Sequence, residues 1–313
     1  MCTVDNKKFI KHVNNYKPGW VTIIIPTYNR AYFIENTILS VFDQTYAFWD
    51  LIVIDDGSTD DTAQVVKKFN QERLTYLYMP HSGLPALARN EGIKIARGEY
   101  VAFLDSDDQW LPEKLERQIA VFKEYSAVGL IHANAYVRSK HQSLDRPYYT
   151  EYNRRSGRVL LELIHRNFII TSTVVVRRSL FDVAGIFPIN PALRAGEDYY
   201  LWLRMAAVSD YFYLNNVLAI YHDEPNNSIR SELSEISYWK MRLLIFERLD
   251  KYLESFKSSF CPEHIEINKY IIKFLKILIS LQLKNGHYLE SVLHIGKYMF
   301  ASFNYISRKL LKC

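Results

Sequence analysis

Cysteine is scarce in this chain of 313 residues, which has three in total. Cys2, Cys261 and Cys313 are too far apart for the ligand spacing of a zinc site, and an odd number of cysteines does not make a disulfide framework. The simplest interpretation is a protein that works in a reducing cytosol.

Long apolar runs are also missing. No run approaches the roughly 18 apolar residues that a membrane span needs, and the first twenty residues lack the apolar core of a signal peptide. We therefore expect a cytoplasmic protein that is neither integral to a membrane nor secreted by the signal-peptide route.

Glycine and proline are few, at 11 and 10 residues, and 49% of the chain is hydrophobic. This composition excludes collagen-like, low-complexity and disordered proteins.

Most of the chain has no excess of either charge. Residues 1–230 carry equal numbers of basic and acidic side chains, so the net charge of +5 comes from residues 231–313, with 13 basic and 8 acidic residues. Within residues 269–313 there are eight basic residues and one acidic residue, Glu290. A basic excess confined to this part of the chain favours contact with an anionic surface over general nucleic-acid binding.

Four short apolar runs alternate with helical stretches in the first 130 residues. The runs are Val21–Pro26, Leu51–Ile54, Leu74–Leu77 and Tyr100–Leu104. Helix signals between and after them are Ser58-Thr59-Asp60, Pro85, and Pro112 with Glu113. This alternation predicts an α/β doubly wound, mostly parallel sheet, with ligands at the carboxyl edge of the strands.

The second half of the chain is less regular. A strand is predicted over Thr173–Val176, and helices over Arg177–Ala184 and Glu197–Val208. Residues 138–158 resemble a long functional loop or hairpin. From Ser234 onward the pattern is helical, with a break at Asn285-Gly286, so we predict one domain over residues 1–230 and a helical extension over 231–313.

Acidic clusters follow the second and fourth predicted strands and begin a later helix. They are Asp55-Asp56, Asp105-Ser106-Asp107-Asp108 and Glu197-Asp198. The first two clusters open onto one edge of the sheet, where like charges are unfavourable unless a cation or a donor-rich ligand neutralises them. Mg²⁺ or Mn²⁺ fits this description, because hard divalent ions take one or two carboxylates and complete their shell with phosphate oxygens and water.

Acidic side chains at strand ends also serve as turn residues or helix caps. We interpret Asp60 and Asp61 as solvated turn residues or helix caps. Asp105 and Asp107 are interpreted as ligand-binding, since alternate positions of an extended segment point to one side. For Asp55, bracing of the turn and direct ligand contact are both open.

These residues together resemble glycosyltransferase family 2. The motifs that carry the resemblance are Val21–Arg30, Val53–Asp60, Ala88-Arg89-Asn90 with Gly92, Gly98-Glu99-Tyr100, Phe103–Asp108, and Gly196-Glu197-Asp198 with Trp202. They occur in the family's order over roughly residues 20 to 225, and the C-terminal part lies outside it.

The resemblance implies a GT-A fold, a nucleotide-diphosphate sugar donor, usually UDP-linked, a divalent metal and inversion at the anomeric carbon. Residues for donor binding would be Pro26, Thr27 and Tyr28 beside the nucleoside, Asp56 at the base, Arg89 near the phosphates, and Asp105 with Ser106 in the DxD motif. Asp107 and Asp105 would serve the metal, with His222 as a further ligand. Since the local spacing at His222 departs from the usual pattern, an ordinary surface histidine is an equal alternative.

Asp198, with Glu197 beside it, matches the family's motif for the general base. A sugar hydroxyl is a poor nucleophile, and a carboxylate within hydrogen-bond reach can take its proton as it attacks. A cation and an arginine stabilise the leaving diphosphate, and a single inverting displacement needs no protein nucleophile. Tyr199 and Trp202 are interpreted as packing residues of the same helix rather than as sugar platforms.

The C-terminal part contains a basic amphipathic helix with Lys269, Lys273, Lys276 and Lys284 among apolar residues from Ile271 to Ile279. Its apolar face either packs on the protein, for instance on Leu293 and Phe300, or lies on anionic lipid at the cytoplasmic face of the membrane. Both can hold if only the lysines touch the membrane.

The predicted function is transfer of a sugar to a hydroxyl of a glycan or lipid-linked saccharide in polysaccharide biosynthesis. A phosphatase is a poor rival, because Gln109 stands where that chemistry needs Thr or Val after the aspartate cluster. No G-x-G-x-x-G follows the first strand, and no phosphate-binding G-x-x-x-x-G-K-[ST] is present. The alternative from another class is a catalytically silent nucleotide- or sugar-binding module that its basic tail recruits to membranes.

Overall fold

The computed structural model describes residues 16–69, 72–138, 146–149, 156–223, 232–256 and 261–310. Cys2 and Cys313 lie outside these ranges, as does most of the predicted loop over residues 138–158. The contacts divide the chain into two compact units. The first comprises Met1–Val159, Ile169–Phe187 and Val208–Glu224, and the second comprises Leu160–Phe168, Pro188–Ala207 and Pro225–Cys313. The second unit thus includes segments before residue 230, and the division into domains at that residue stays a prediction.

The first unit is built on a nine-stranded sheet. Its strands are β1 (Lys17–Thr27), β2 (Trp49–Asp55), β3 (Leu74–Tyr78), β4 (Gly98–Phe103), β5 (Gln109–Trp110), β6 (Val128–Arg138), β7 (Arg146–Pro147), β8 (Val175–Arg177) and β9 (Asp210–His222). The order is β3-β2-β1-β4-β8-β6-β9-β5, with β7 paired to β6. The four strands predicted in the first 130 residues are confirmed, and they pair in parallel.

The direction of the strands decides which residues meet at one edge. Because β8 is antiparallel to both β4 and β6, and β6 is parallel to β9, the strands β6 and β9 run in the same direction as β1 to β4. The carboxyl ends of these six strands therefore share an edge with the amino end of β8. This edge brings together residues as distant in sequence as Thr27, Asp105, Ser172 and His222.

The helices of the first unit are α1 (Ile34–Phe42), α2 (Thr62–Val66), α3 (Pro85–Ile95), α4 (Lys114–Glu124) and α6 (Leu180–Ala184). Ile23, Ile24 and Ile25 of β1 have no exposed surface, as expected for a strand buried on both faces. Asp60 is a turn residue, because its carboxylate accepts the backbone N–H of Thr62 at 3.0 Å. Asp61 occupies the N-cap position of α2, but its side chain makes no capping hydrogen bond, so the interpretation of these residues as helix caps was wrong. The fold class predicted from the alternating runs is thus confirmed.

The second unit is helical. Its helices are α5 (Leu160–His165), α7 (Glu197–Val208), α8 (Glu235–Glu254), α9 (Cys261–Lys284) and α10 (Tyr288–Leu310). The helix predicted over Glu197–Val208 is confirmed, and so is the break at Asn285-Gly286. Among the residues that the structure describes, no helix is long and apolar enough to span a bilayer.

The apolar face of α9 packs inside this unit. Ile271, Phe274, Leu275 and Leu278 are buried, and the Phe274 ring centroid lies 5.4 Å from that of Phe246 on α8. The packing interpretation is therefore confirmed for α9. The partners proposed for it, Leu293 and Phe300, were wrong: both point away from the core and are mostly exposed, because another side of α10 faces the other helices.

A partly buried polar cluster joins the three long helices. Asp250 of α8 accepts a hydrogen bond from Arg308 of α10 at 2.7 Å and lies 2.5 Å from Nδ1 of His264 on α9, while Arg308 also bonds Glu254 at 3.0 Å. Burial acts to raise the pKa of Asp250, but the hydrogen bonds and charges of His264 and Arg308 outweigh it and hold the pKa below its usual range.

We expect Asp250→Asn to lower the free energy of unfolding by about 1–3 kcal/mol at neutral pH. Since the folded-state pKa of Asp250 is depressed, its contribution is present above the unfolded pKa of about 4 and is lost as the pH falls through the folded value. Urea denaturation at neutral pH and at about pH 3 measures this, with the exposed Asp61→Asn as control. An equal deficit at both pH values would contradict the assignment.

Candidate active site

The loops that follow β1 and β2 are tied to each other. The backbone N–H of Asn29 donates to Oγ of Ser58 at 2.8 Å, and Oδ1 of Asn29 accepts the N–H of Thr59 at 2.8 Å. Tyr28, which is partly exposed, stacks on His81 with ring centroids 4.0 Å apart. Thr27 is buried at the end of β1. The predicted nucleoside-binding segment, Pro26 to Tyr28, therefore has a fixed backbone at the carboxyl edge.

Asp55 braces the turn. It is fully buried, and its carboxylate accepts the N–H of Ser58 at 2.8 Å and the hydroxyl of Tyr76 at 2.6 Å. Burial and this hydrogen bond raise the pKa of Tyr76. Of the two interpretations left open for Asp55, the structure shows the bracing role.

Asp56 is oriented by the backbone of the loop after β3. Its two carboxylate oxygens accept the N–H groups of Ser82 and Gly83 at 2.8 and 3.0 Å. Gly57 next to it has a φ of +81°, and a Cβ there would lie 2.6 Å from the backbone nitrogen of His81. Only glycine fits this close approach without displacing the loop. Nδ1 of His81 also lies 3.3 Å from Oδ2 of Asp56. The predicted base-binding role of Asp56 stays a prediction.

Asp105 and Asp107 lie beside arginines. Oδ1 of Asp105 is 2.8 Å from Nη2 of Arg89, and Oδ2 of Asp107 is 3.7 Å from Nε of Arg30. Arg89 is buried and also lies over the ring of Phe187, whereas the two carboxylates are about one-third exposed. The structure thus brings the predicted residues Arg89 and Asp105 together, and it adds Arg30, which the sequence did not single out.

The segment that carries these carboxylates is a turn, so the expected extended geometry was wrong. β4 ends at Phe103, and the N–H of Asp108 donates to the carbonyl of Asp105 at 3.0 Å. The carbonyl of Ser106 accepts the Thr37 hydroxyl at 3.0 Å, which fastens the turn to α1. The four consecutive acidic or polar residues from Asp105 to Asp108 favour such a turn, because their side chains compete for backbone hydrogen bonds.

The side chain of Asp108 holds this turn in place through hydrogen bonds. It is fully buried and accepts hydrogen bonds from the hydroxyl of Ser172 and from the backbone N–H of His222, the latter at 2.9 Å. Oγ of Ser172 also accepts the N–H of Asp105 at 3.1 Å. Burial raises the pKa of Asp108 well above its usual value, and the charges of Asp107 and Asp105 add to the effect. No sequence pattern indicated a role for Ser172, which is 67 residues from Asp105.

His222 lies at this edge because its backbone is bonded to Asp108 at the last residue of β9. The predicted role of its side chain, metal or diphosphate binding, stays a prediction. Within the described ranges, no group of three or more His, Cys, Asp or Glu side chains is arranged to hold a metal by itself. Two partly exposed carboxylates, Asp105 and Asp107, nevertheless fit a Mg²⁺ or Mn²⁺ ion whose shell phosphate oxygens and water complete.

In the second unit, Glu197 and Asp198 form the first turn of α7. Oδ1 of Asp198 accepts the N–H of Tyr199 at 2.7 Å, and Glu197 is buried. A Cβ on Gly196 would lie 2.8 Å from Sδ of Met241, so glycine allows α8 to approach the start of α7 closely. The structure thus places the predicted general base, Asp198, in the first turn of α7, and its role stays a prediction.

Tyr199 and Trp202 are buried in the second unit. The Tyr199 hydroxyl donates to the carbonyl of Leu163 at 2.8 Å, and the guanidinium of Arg242 lies 4.9 Å from the Tyr199 ring centroid. The interpretation of both residues as packing residues is therefore confirmed.

The sequence profile of "Glycosyl transferase family 2" matches residues 22–184. The chain belongs to glycosyl transferase family 2. It is a glycosyltransferase, as the resemblance of its motifs implied. The matched range includes Asp56, Arg89, Asp105 and Asp107, and it ends before Asp198 and His222.

Curated relatives carry glycosyltransferase names. The putative teichuronic acid biosynthesis glycosyltransferase TuaG of Bacillus subtilis is 30% identical over 253 residues, which are 80% of this chain and 95% of the relative. The UDP-Glc:alpha-D-GlcNAc-diphosphoundecaprenol beta-1,3-glucosyltransferase WfgD of Escherichia coli is 35% identical over 186 residues, 58% of this chain and 68% of the relative. An uncharacterized glycosyltransferase of Rickettsia conorii is 29% identical across 99% of this chain, which spans only 48% of that longer protein.

Solved structures share the fold. S. aureus TarS, residues 1–349 in complex with UDP-GlcNAc, has a TM-score of 0.63 at 20% identity, covering 92% of each chain. The mannosyltransferase PcManGT from Pyrobaculum calidifontis, in complex with GDP-Man and Mn²⁺, has a TM-score of 0.56 at 17% identity, covering 91% of this chain and 86% of that one. The GT-A fold that the motifs implied is therefore confirmed.

Proposed function

We propose that this chain is an inverting, divalent-metal-dependent glycosyltransferase of polysaccharide biosynthesis. In this proposal a sugar moves from a UDP-linked donor to a hydroxyl of a glycan or a lipid-linked saccharide. The single observation that carries it is the pairing of Asp105 with Arg89 and of Asp107 with Arg30 at the carboxyl edge of the sheet.

The names of the relatives support the substrate class. TuaG is named for teichuronic acid biosynthesis, WcaA of Escherichia coli, 30% identical over 197 residues, for colanic acid biosynthesis, and WfgD for transfer from UDP-Glc to a diphosphoundecaprenol-linked sugar. The three names concern teichuronic acid, colanic acid and a lipid-linked sugar. A UDP-linked donor and an acceptor of this class are the simplest proposal for this chain.

The charges at the site suit a nucleotide diphosphate bound with a metal. Arg89 and Arg30 lie beside the carboxylates of Asp105 and Asp107. A diphosphate is negatively charged like the two carboxylates, and a metal ion is positively charged like the two arginines. The guanidinium of Arg89 can therefore bind phosphate oxygens, while Asp107 and Asp105 hold the cation. A bound Mg²⁺ or Mn²⁺ would supply electrostatic stabilisation of the leaving diphosphate.

The reaction itself needs one proton acceptor from the protein. Asp198 is proposed as this general base, with Glu197 beside it, and Tyr28 and Asp56 are proposed to border the nucleoside base. The acceptor hydroxyl loses its proton to Asp198 as it attacks the anomeric carbon, and the diphosphate leaves from the opposite face. One displacement of this kind inverts the anomeric configuration.

We expect one nucleotide class among UDP-, GDP- and dTDP-sugars to stabilise the wild-type protein when Mn²⁺ or Mg²⁺ is present. A ligand at 100 times its dissociation constant adds about 2.7 kcal/mol to the free energy of unfolding, which raises the unfolding temperature measurably. Asp107→Asn should lose this metal-dependent stabilisation, because the amide keeps the size of the carboxylate but not its charge. Thermal unfolding of both proteins against the donor panel measures it.

Asp61→Asn is the matched control, since it removes an exposed carboxylate outside the cluster. If Asp61→Asn and Asp107→Asn respond alike, Asp107 has no role in metal-dependent binding. If no nucleotide sugar stabilises the wild type, the donor assignment is wrong. Donor binding without turnover on any lipid-linked or glycan acceptor would favour the catalytically silent module.

A further inference from the structure

Helix α10 exposes a continuous apolar face. Its large apolar side chains recur at helical spacing on one side, and most of them are at least 64% exposed. They are Tyr288, Leu289, Val292, Leu293, Ile295, Met299, Phe300, Phe303 and Ile306. Water-soluble surfaces rarely carry so many adjacent apolar side chains unless they bind something.

The helix is held in this orientation by polar contacts on its other side. Arg308 bonds Asp250 and Glu254, Glu290 accepts a hydrogen bond from Lys240 at 2.6 Å, and Ser291 and Ala301 are buried. An amphipathic helix usually turns its apolar side to the core. Here charged and small residues face the neighbouring helices. The side of α10 that packs within the unit is therefore its polar side, and its apolar side is exposed.

Cations flank the apolar face. Nζ of Lys276 lies 5.5 Å from the ring centroid of Tyr298, and Nζ of Lys309 lies 5.9 Å from that of Tyr305. Lys297 of the same helix is paired with Glu247 of α8 at 3.2 Å. The apolar face itself contains no acidic residue in the described part of α10, since the helix's one acidic side chain, Glu290, is turned towards Lys240.

We propose that this face of α10 binds an anionic lipid surface. The apolar side chains would lie at the boundary between headgroups and acyl chains, and the flanking lysines would lie at the level of the lipid phosphates. A second copy of this chain fits less well, because two such faces would bring their lysines together, whereas anionic headgroups neutralise them. The proposal moves the apolar contact from α9, where the sequence suggested it, to α10.

The test is flotation of the purified full chain with phosphatidylcholine vesicles and with vesicles that also contain phosphatidylglycerol. We expect binding to the anionic vesicles that weakens with added salt. Phe300→Gln/Phe303→Gln should weaken this binding at least about tenfold, because each ring buries apolar surface in the lipid. Lys276→Gln/Lys309→Gln should weaken it about fivefold for each lysine on anionic vesicles only.

Val183→Gln/Ile189→Gln is the matched control, since it removes two exposed apolar side chains elsewhere and should bind as the wild type does. Circular dichroism of each variant establishes that it is folded. The proposal is wrong if the wild type does not bind anionic vesicles, or if the Phe300/Phe303 variant binds as tightly as the control. A concentration-dependent dimer in light scattering that the same variant abolishes would instead assign the face to a second copy. Because the readout is vesicle binding, its outcome is independent of donor binding and turnover.

Discussion

Asp198→Asn is expected to lower kcat by about 10²–10⁴-fold while donor binding is retained. The amide has the shape of the carboxylate, and its oxygen can still accept the N–H of Tyr199, so the first turn of α7 should be preserved. What is lost is the ability to take a proton from the acceptor hydroxyl. Steady-state turnover with a lipid-linked or glycan acceptor, beside donor binding by thermal shift, measures the two effects separately.

Two further variants test whether the loss of turnover is specific to Asp198. Asp107→Asn should lose donor binding and turnover together, whereas Asp198→Asn should lose turnover alone. Glu197→Gln tests the neighbouring carboxylate, which is buried and should contribute less to proton transfer than the half-exposed Asp198. Wild-type turnover in Asp198→Asn would remove Asp198 from the mechanism, and equal losses in the 197 and 198 variants would assign the two carboxylates one joint role.

The local sequence pattern was sufficient to predict a strand or helix whose own residues determine its structure. Strands β1 to β4 are continuous apolar runs, and α7 begins at two acidic residues that favour a helix N-terminus, so their positions could be predicted. The strand β9 was missed because its pattern is interrupted by Asn215-Asn216. At that point the pairing with β6 shifts, with Leu214 opposite Ala133 and Val217 opposite Asn134.

The residues of the candidate site also divide into those that the sequence could predict and those that it could not. Asp56, Arg89, Asp105 and Asp107 are recognisable because they follow predicted strands or lie in family motifs. Arg30 also lies in a family motif, but neither its pairing with Asp107 nor the role of Ser172 was predicted. Both depend on the pairing of β1, β4 and β8, which joins residues far apart in the chain. The same reason explains α10: hydrophobic periodicity shows that a face exists, and only tertiary contacts show that it points outward.

We expect Ser172→Ala to lower the free energy of unfolding by about 3 kcal/mol and to weaken metal-dependent donor binding. The substitution removes the donor to the buried carboxylate of Asp108 and the acceptor for the N–H of Asp105. A buried carboxyl group that loses a hydrogen bond is costly, and the turn that carries Asp105 and Asp107 loses its link to the segment before β8. Urea denaturation and donor titration with Mn²⁺ measure the two effects.

Ser40→Ala is the matched control for this prediction. Oγ of Ser40 is also buried and makes two hydrogen bonds, donating to the carbonyl of Thr37 at 2.7 Å and accepting the N–H of Trp110 at 3.1 Å, but it contacts neither Asp105 nor Asp108. We expect a comparable loss of stability with donor affinity near that of the wild type. If both variants weaken donor binding equally, the effect reflects general destabilisation of the first unit. If Ser172→Ala alone does so, the buried pair of Ser172 and Asp108 positions the carboxylates that bind the metal.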